Sequence, residues 1–153
     1  MGSVRVRAAF PGSVHEAELC WYDTGRWPAW IDGLAEVVRV EGDWPRVGAT
    51  VSWNSHPAGR GQVVERVVAF EPLGGQALEV EDPELRGRQS ISFTPYDGNV
   101  QVELTLDYRL KQRSLVTPVL DLLFIRRAIG SSMRTTLTRF GAELAATRRS
   151  GVG

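Results

Sequence analysis

From Leu34 to Lys111 apolar and polar residues alternate with a period of two, and the chain then changes to one long stripe of helical period. The alternating segments are 34–42, 49–55, 61–70, 76–81, 89–94 and 100–111. Short breakers separate them at 42–45, 56–59, 72–75, 82–83 and 97–98. Connections this short join antiparallel neighbours, because parallel strands need a crossover of a dozen or more residues. Asp97-Gly98 is the sharpest of these signals and predicts a type I′ hairpin turn. The spacing therefore predicts an antiparallel meander followed by a helix.

The segment before Leu34 adds three elements. Val4, Val6 and Ala8 alternate with Arg5 and Arg7, a first strand that ends near Phe10 at Pro11-Gly12. Ser13 and Glu16 have capping-box spacing, so a short helix starts at Ser13 and runs to about Tyr22, with Val14, Ala17, Leu19, Cys20 and Trp21 on its apolar side. Trp27 to Ile31 reads as a second helical turn, with Pro28 tolerated at its start. In the final helix Leu122, Ile125, Ile129, Met133, Leu137, Phe140 and Leu144 recur every three or four residues. Thr117 is its expected N-cap, Pro118 its first residue and Asp121 part of its first turn, with a possible bend at Gly130-Ser-Ser132. About thirty residues at about 1.5 Å each would span about 45 Å, the width of a whole sheet.

Seven twisted strands with one apolar face must curve around something, and this helix alone is long enough. The expected fold is thus α+β: a curved antiparallel sheet of about seven strands around a long C-terminal helix, with two short helices after the first strand. Its 153 residues suit one domain, 1–150, with 151–153 as a disordered tail.

The segment from Val14 and Ala17 through Trp21, followed by Asp23, Trp27 and Trp30, resembles the first helix and following segment of the START-like, helix-grip superfamily (SRPBCC proteins). Within that superfamily the resemblance is to the polyketide cyclase/dehydrase and lipid-transport branch. Gly42 and Gly48 match its glycine-bounded second hairpin. Phe70-Glu-Pro72 and Phe93-Thr-Pro95 through Gly98 resemble two further hairpins, with Asn99 where Thr is more usual. The resemblance covers nearly the whole chain. It implies a cavity between sheet and helix, but none of these residues is catalytic.

Alternation predicts which side chains face inward: Val38, Val40, Val51, Trp53, Leu78, Val80, Ile91, Phe93, Val102, Leu104, Leu106 and Tyr108. Segment 61–70 reads two ways, with either Val64, Val68 and Phe70 or Val63, Glu65, Val67 and Ala69 inward. The first reading also turns Arg66 inward, where its guanidinium needs a carboxylate or a ligand; Arg126 borders the helix stripe. Trp27 and Trp30 either gate the cavity or plug that end of the core. The expected ligand-binding set is Trp27, Trp30, Trp53, Arg66, Phe93, Leu104, Tyr108, Arg126, Ile129 and Met133. Its pocket lies beside the first half of the long helix, where Ala128, Gly130, Ser131 and Ser132 leave space, and its mouth lies near Trp27 and Trp30. The Tyr108 phenol is the expected polar anchor.

Other function classes find little support. Eighteen basic and eighteen acidic residues cancel, which argues against a nucleic-acid partner. All the basic residues but Lys111 are arginine, a bias that fits a GC-rich bacterial genome. His15 and His56 lie far apart and outside any ligand spacing, so no metal and no cofactor are expected. Cys20, the single cysteine, reads as a small buried hydrophobe, with no disulfide to form. No hydrophobic leader precedes the first strand and the stretch 115–125 is too short to span a bilayer, so a cytoplasmic location is expected. Two functions remain. One is a binding protein for a hydrophobic small molecule such as a lipid, isoprenoid or polyketide. The other is a cyclase, aromatase or dehydratase using acid–base groups in the same cavity, with Tyr108, Tyr22, Asp23 or Arg66 as actors. The oligomeric state and the ligand are not legible in the sequence.

Overall fold

The computed structural model describes residues 2–111 and 119–151. Strand β1 (Gly2–Pro11) leads into helix α1 (Val14–Tyr22), a single 3₁₀ turn (Thr24–Arg26) and the short helix α2 (Trp27–Trp30). Six strands follow: β2 (Leu34–Glu41), β3 (Thr50–Ser55), β4 (Gln62–Glu71), β5 (Gly75–Glu81), β6 (Leu85–Tyr96) and β7 (Asn99–Leu110). Helix α3 (Val119–Ser150) ends the fold. The sequence-predicted cap at Thr117 and the Pro118 position lie outside the described residues, as do the side chain of Asp121 and the tail at 152–153.

Local chemistry accounts for the element ends. The Ser13 hydroxyl accepts from Glu16 N–H at 3.1 Å, and Glu16 reaches back to accept from Ser13 N–H at 3.1 Å, which completes the capping box. Asp97 and Gly98 both have positive φ, 51° and 80°, as a type I′ turn requires.

The strands form one antiparallel sheet in the order β1-β7-β6-β5-β4-β3-β2. Strands β2 to β7 are the expected meander. The first strand instead crosses to the far edge and pairs with the last, from Gly2 opposite Tyr108 to Pro11 opposite Asn99. The curved sheet grips α3, as expected for a helix-grip fold. Val51, Trp53, Leu78, Val80, Ile91, Phe93, Val102, Leu104, Leu106 and Tyr108 are buried as alternation predicts.

Two strands correct the sequence reading. Edge strand β2 has register shifts between Leu34 and Glu36 and between Val37 and Arg39. Val38 falls in the second and is 51% exposed, while Val37 packs on the core opposite Trp53. Val40 stands opposite buried Val51 but is 41% exposed, because no strand covers the edge beyond it. In β4 a bulge lies between Val67 and Ala69. Val63, Glu65 and Val67 are buried before it, and Phe70 packs on the core after it. Each alternative therefore holds for half of the strand, because one inserted residue turns the pleat over. Arg66 and Val64 consequently face outward.

Candidate functional site

The inner stripe of α3 changes character along its length. Leu137, Phe140 and Leu144 are fully packed, whereas Ile125 and Ile129 are only half-buried. Between this first half of α3 and the sheet lies a cavity of about 380 Å³. On the helix side it is bounded by Ile125, Ala128, Ile129, Ser132, Met133 and Thr136, and on the sheet side chiefly by Trp53, Glu65, Leu104, Leu106 and Leu110. The size falls within the range of ordinary small-molecule pockets. Exposed Phe124 and Ala128 face Arg60 and Glu84 across the opening.

The polar groups converge at one end. Glu65 stands on β4 opposite Val51 and Val80, and is 4% exposed. Its Oε2 accepts a 3.0 Å hydrogen bond from Trp53 Nε1. Burial pushes its carboxyl above the ordinary value of 4.5, while the Trp53 hydrogen bond and the nearby Arg60 charge oppose that shift. Arg60, from the β3–β4 loop, donates from Nε to Asp82 Oδ2 at 2.6 Å. Asp82 has no spare capacity on that side, since its other oxygen accepts from Glu84 N–H at 2.8 Å and Leu85 N–H at 2.9 Å. The guanidinium carbon of Arg60 lies 5.5 Å from the centroid of the Trp53 ring. Its Nη2 is buried and has no hydrogen-bond partner among the described residues. At the other end Asp32 ties α2 to α3, accepting from Ser132 Oγ at 2.7 Å and donating its N–H to Thr136 Oγ1 at 3.0 Å.

A carboxyl whose pKa is raised by burial makes a prediction with a definite sign. The folded value lies above the unfolded one, so stability from this group is fully present below about pH 4.5 and is lost as pH rises through the folded value. Glu65→Gln removes that titration and keeps the shape. Its melting temperature should match the wild type near about pH 4 and exceed it by several degrees near about pH 8. A difference that does not widen with pH would exclude a raised Glu65 pKa.

Of the sequence-predicted site residues, the structure brings Trp53, Leu104, Ile129 and Met133 to the cavity. Phe93 is buried elsewhere, against Trp21 and Tyr22. Trp27 and Trp30 are 3% and 0% exposed and belong to an aromatic cluster with Trp21, Trp44 and Phe140, so they plug the core rather than stand at the opening. Tyr108 packs over Gly2 of the paired edge strand, which leaves its phenol out of the cavity wall. Arg66 and Arg126 are exposed on outer surfaces. Gly130 faces Val4 and Ser131 faces solvent, so only Ala128 and Ser132 of the small residues border the space.

None of the four expected acid–base actors lines the cavity. The Tyr22 phenol is enclosed by Trp44, Phe70 and Phe93, with its ionisation suppressed by burial, and Asp23 is exposed. Cys20 is 2% exposed and burial raises its thiol pKa, as befits a packing residue. Glu65 and Arg60 are the groups that sequence reasoning missed. The alternation Val63, Glu65, Val67 carried the signal for Glu65; Arg60 sits in a turn, where spacing says nothing of direction.

A family model for polyketide cyclase / dehydrase and lipid transport matches residues 1–145. No curated protein matches the sequence. Among solved structures, the Zhui aromatase/cyclase from Streptomyces sp. R1128 superposes with a TM-score of 0.83 at 14% identity, covering 99% of this chain and 98% of that one. The di-domain aromatase/cyclase StfQ of the steffimycin biosynthetic pathway gives 0.77 at 19% identity, over 97% of this chain and 51% of that one. A START superfamily protein from Mycobacterium smegmatis gives 0.73 at 11% identity, over 95% and 98%. At these identities the likeness is one of fold.

Proposed function

The chain belongs to the polyketide cyclase/dehydrase and lipid transport family, and on that premise we propose that it binds a hydrophobic small molecule, of lipid, isoprenoid or polyketide type, between its sheet and α3. The observation that carries this reading is the cavity of about 380 Å³ between the sheet and α3, walled mainly by aliphatic and aromatic side chains. An apolar ligand of about twenty heavy atoms, at about 0.3 kcal/mol each, would bind with about −6 kcal/mol, or tens of micromolar.

Native mass spectrometry of protein purified without detergent should reveal a co-purified small molecule. The paired variant is Ala128→Trp. Ala128 is exposed at the opening, so an indole there obstructs entry without displacing packed core. Folding stability should stay within about 0.5 kcal/mol of the wild type while the bound molecule is lost. Unchanged occupancy in folded Ala128→Trp would place the ligand elsewhere.

A second reading, an enzyme of the cyclase, aromatase or dehydratase type, is favoured by one observation: a buried carboxyl, Glu65, and a guanidinium-bearing residue, Arg60, both line the cavity. Burial raises the Glu65 carboxyl above its ordinary value, the direction that suits a proton donor. Turnover of a poly-β-ketone substrate, abolished in Glu65→Gln, would establish this reading over simple binding.

A further inference from the structure

The chain is neutral overall, with eighteen basic and eighteen acidic residues, but helix α3 is not. From Leu122 to Ala142 it has four arginines, Arg126, Arg127, Arg134 and Arg139, and no acidic residue. Arg139 pairs with Asp32 at 3.3 Å. Arg126, Arg127 and Arg134 are exposed and have no ion-pair partner among the described residues. The same helix holds Leu123, 55% exposed, and Phe124, 74% exposed. Phe124 is the most exposed large apolar side chain among the described residues.

These residues share one face. At about 100° per residue, Leu123, Phe124, Arg127, Ser131 and Arg134 fall within an arc of about 100°, opposite Ile125, Ile129 and Phe140 on the gripped side. All five are exposed, and exposed Arg126 borders the arc. The strip is about 16 Å long at about 1.5 Å per residue. Its first turn carries the apolar pair, next to the cavity opening that Phe124 borders, and the arginines continue it. The pair leaves apolar surface in water, and the like charges repel one another. An anionic surface with an apolar interior relieves both costs.

We propose that this strip docks α3 on the surface of an anionic lipid bilayer, with Leu123 and Phe124 entering the headgroup boundary and Arg126, Arg127 and Arg134 set against the lipid phosphates. Large apolar side chains beside arginines on one helix face are what interfacial helices present to such a surface. The face is a convex helix surface with charges of one sign, which suits a flat and fluid partner. A protein's anchor side chains need recesses to fill. No helix among the described residues is long and apolar enough to cross a membrane, and the contact argued for is with the bilayer surface. The opposite rim of the cavity carries exposed Glu84, so the helix face rather than the whole mouth makes the contact. Docked this way, the opening lies beside the lipid and an apolar ligand need not cross water. That consequence rests on the cavity reading; the docking itself does not.

The test is co-sedimentation with vesicles of phosphatidylcholine alone and of phosphatidylcholine with about 30 mol % phosphatidylglycerol. The wild type should bind the anionic vesicles at least about tenfold more tightly, and salt at about 0.5 M should weaken that binding. Arg127→Gln/Arg134→Gln should bind them about 25-fold more weakly, about fivefold for each arginine. Arg66→Gln/Arg109→Gln removes the same charge from exposed positions on the sheet and should stay within about threefold of the wild type. Phe124→Cys labelled with acrylodan reports depth, since Cys20 is 2% exposed and shielded from the reagent. Its emission should shift to the blue on anionic vesicles.

Equal binding to the two kinds of vesicle, or to neither, overturns the proposal and leaves the strip to an acidic protein partner. Equal losses in the two double variants also overturn it, because net charge and not this face would then drive the binding. Sedimentation without a blue shift places the contact on another surface. In each case the cavity reading stands, since neither Arg127 nor Arg134 lines the cavity.

Discussion

Leu137→Asp is expected to leave the chain unfolded at 25 °C. Leu137 is 3% exposed and sits on the gripped face of α3, between Met133 and Phe140 on the same stripe. The substitution removes apolar burial worth about 2–3 kcal/mol and places a carboxylate in the buried apolar core, at a further cost of several kcal/mol. A typical domain has only about 5–15 kcal/mol of net stability. Met133→Asp is expected to be milder, although sequence periodicity gives the two positions equal rank. Met133 borders the cavity, where water can hydrate part of the new charge. Circular dichroism at 222 nm with urea titration checks both. Cooperative melting of Leu137→Asp at the wild-type temperature would mean that α3 is not gripped by the sheet.

Trp30→Ala carries the second large effect, about 3–5 kcal/mol of lost stability. Trp30 is fully enclosed, its ring centroid 4.5 Å from that of Trp21, 5.2 Å from Phe140 and 6.3 Å from Trp27. These contacts tie α1 and α2 to the second half of α3, so the deletion opens a void at a junction of three elements. Trp30→Phe should cost less, about 1–2 kcal/mol. It retains most of the ring contacts and removes an indole N–H that has no partner among the described residues. A gate would behave otherwise: Trp30→Ala would keep its urea midpoint and speed the entry and exit of an apolar probe. That result would return the two tryptophans to the cavity mouth.

The burial of Leu137 was legible in the sequence, whereas the place of Trp30, gate or plug, and the cavity's chemistry were not. Periodicity could say that Leu137 and Met133 share a stripe. It could not say that the sheet closes on one and stands away from the other. The family resemblance rests on turn glycines and spaced tryptophans that shape the scaffold, so it implied a cavity and left its lining open. Hence Trp53, Leu104, Ile129 and Met133 were found, being inward residues of strands and helix whose alternation or stripe is regular. Arg66 and Tyr108 were not, because each depended on a register or an edge that tertiary pairing sets, and Arg126 lies on the exposed side of α3.

The sequence by itself determined the elements. Capping at Ser13 and Glu16, positive φ at Asp97-Gly98, alternation in β5 to β7 and the stripe on α3 are local, and each acts through its own neighbours in the chain. Tertiary structure decided the rest. A one-residue bulge after Val67 turned the face of β4, so that Glu65 before it and Phe70 after it both face inward; bulges and an open edge left Val38 and Val40 in solvent. A turn residue, Arg60, reached Asp82 across 22 positions of sequence. The physical reason is common to all three. A bulge, a sheet edge and an ion pair between loops are properties of how segments meet, and burial and pKa follow from the meeting rather than from the residues' order along the chain.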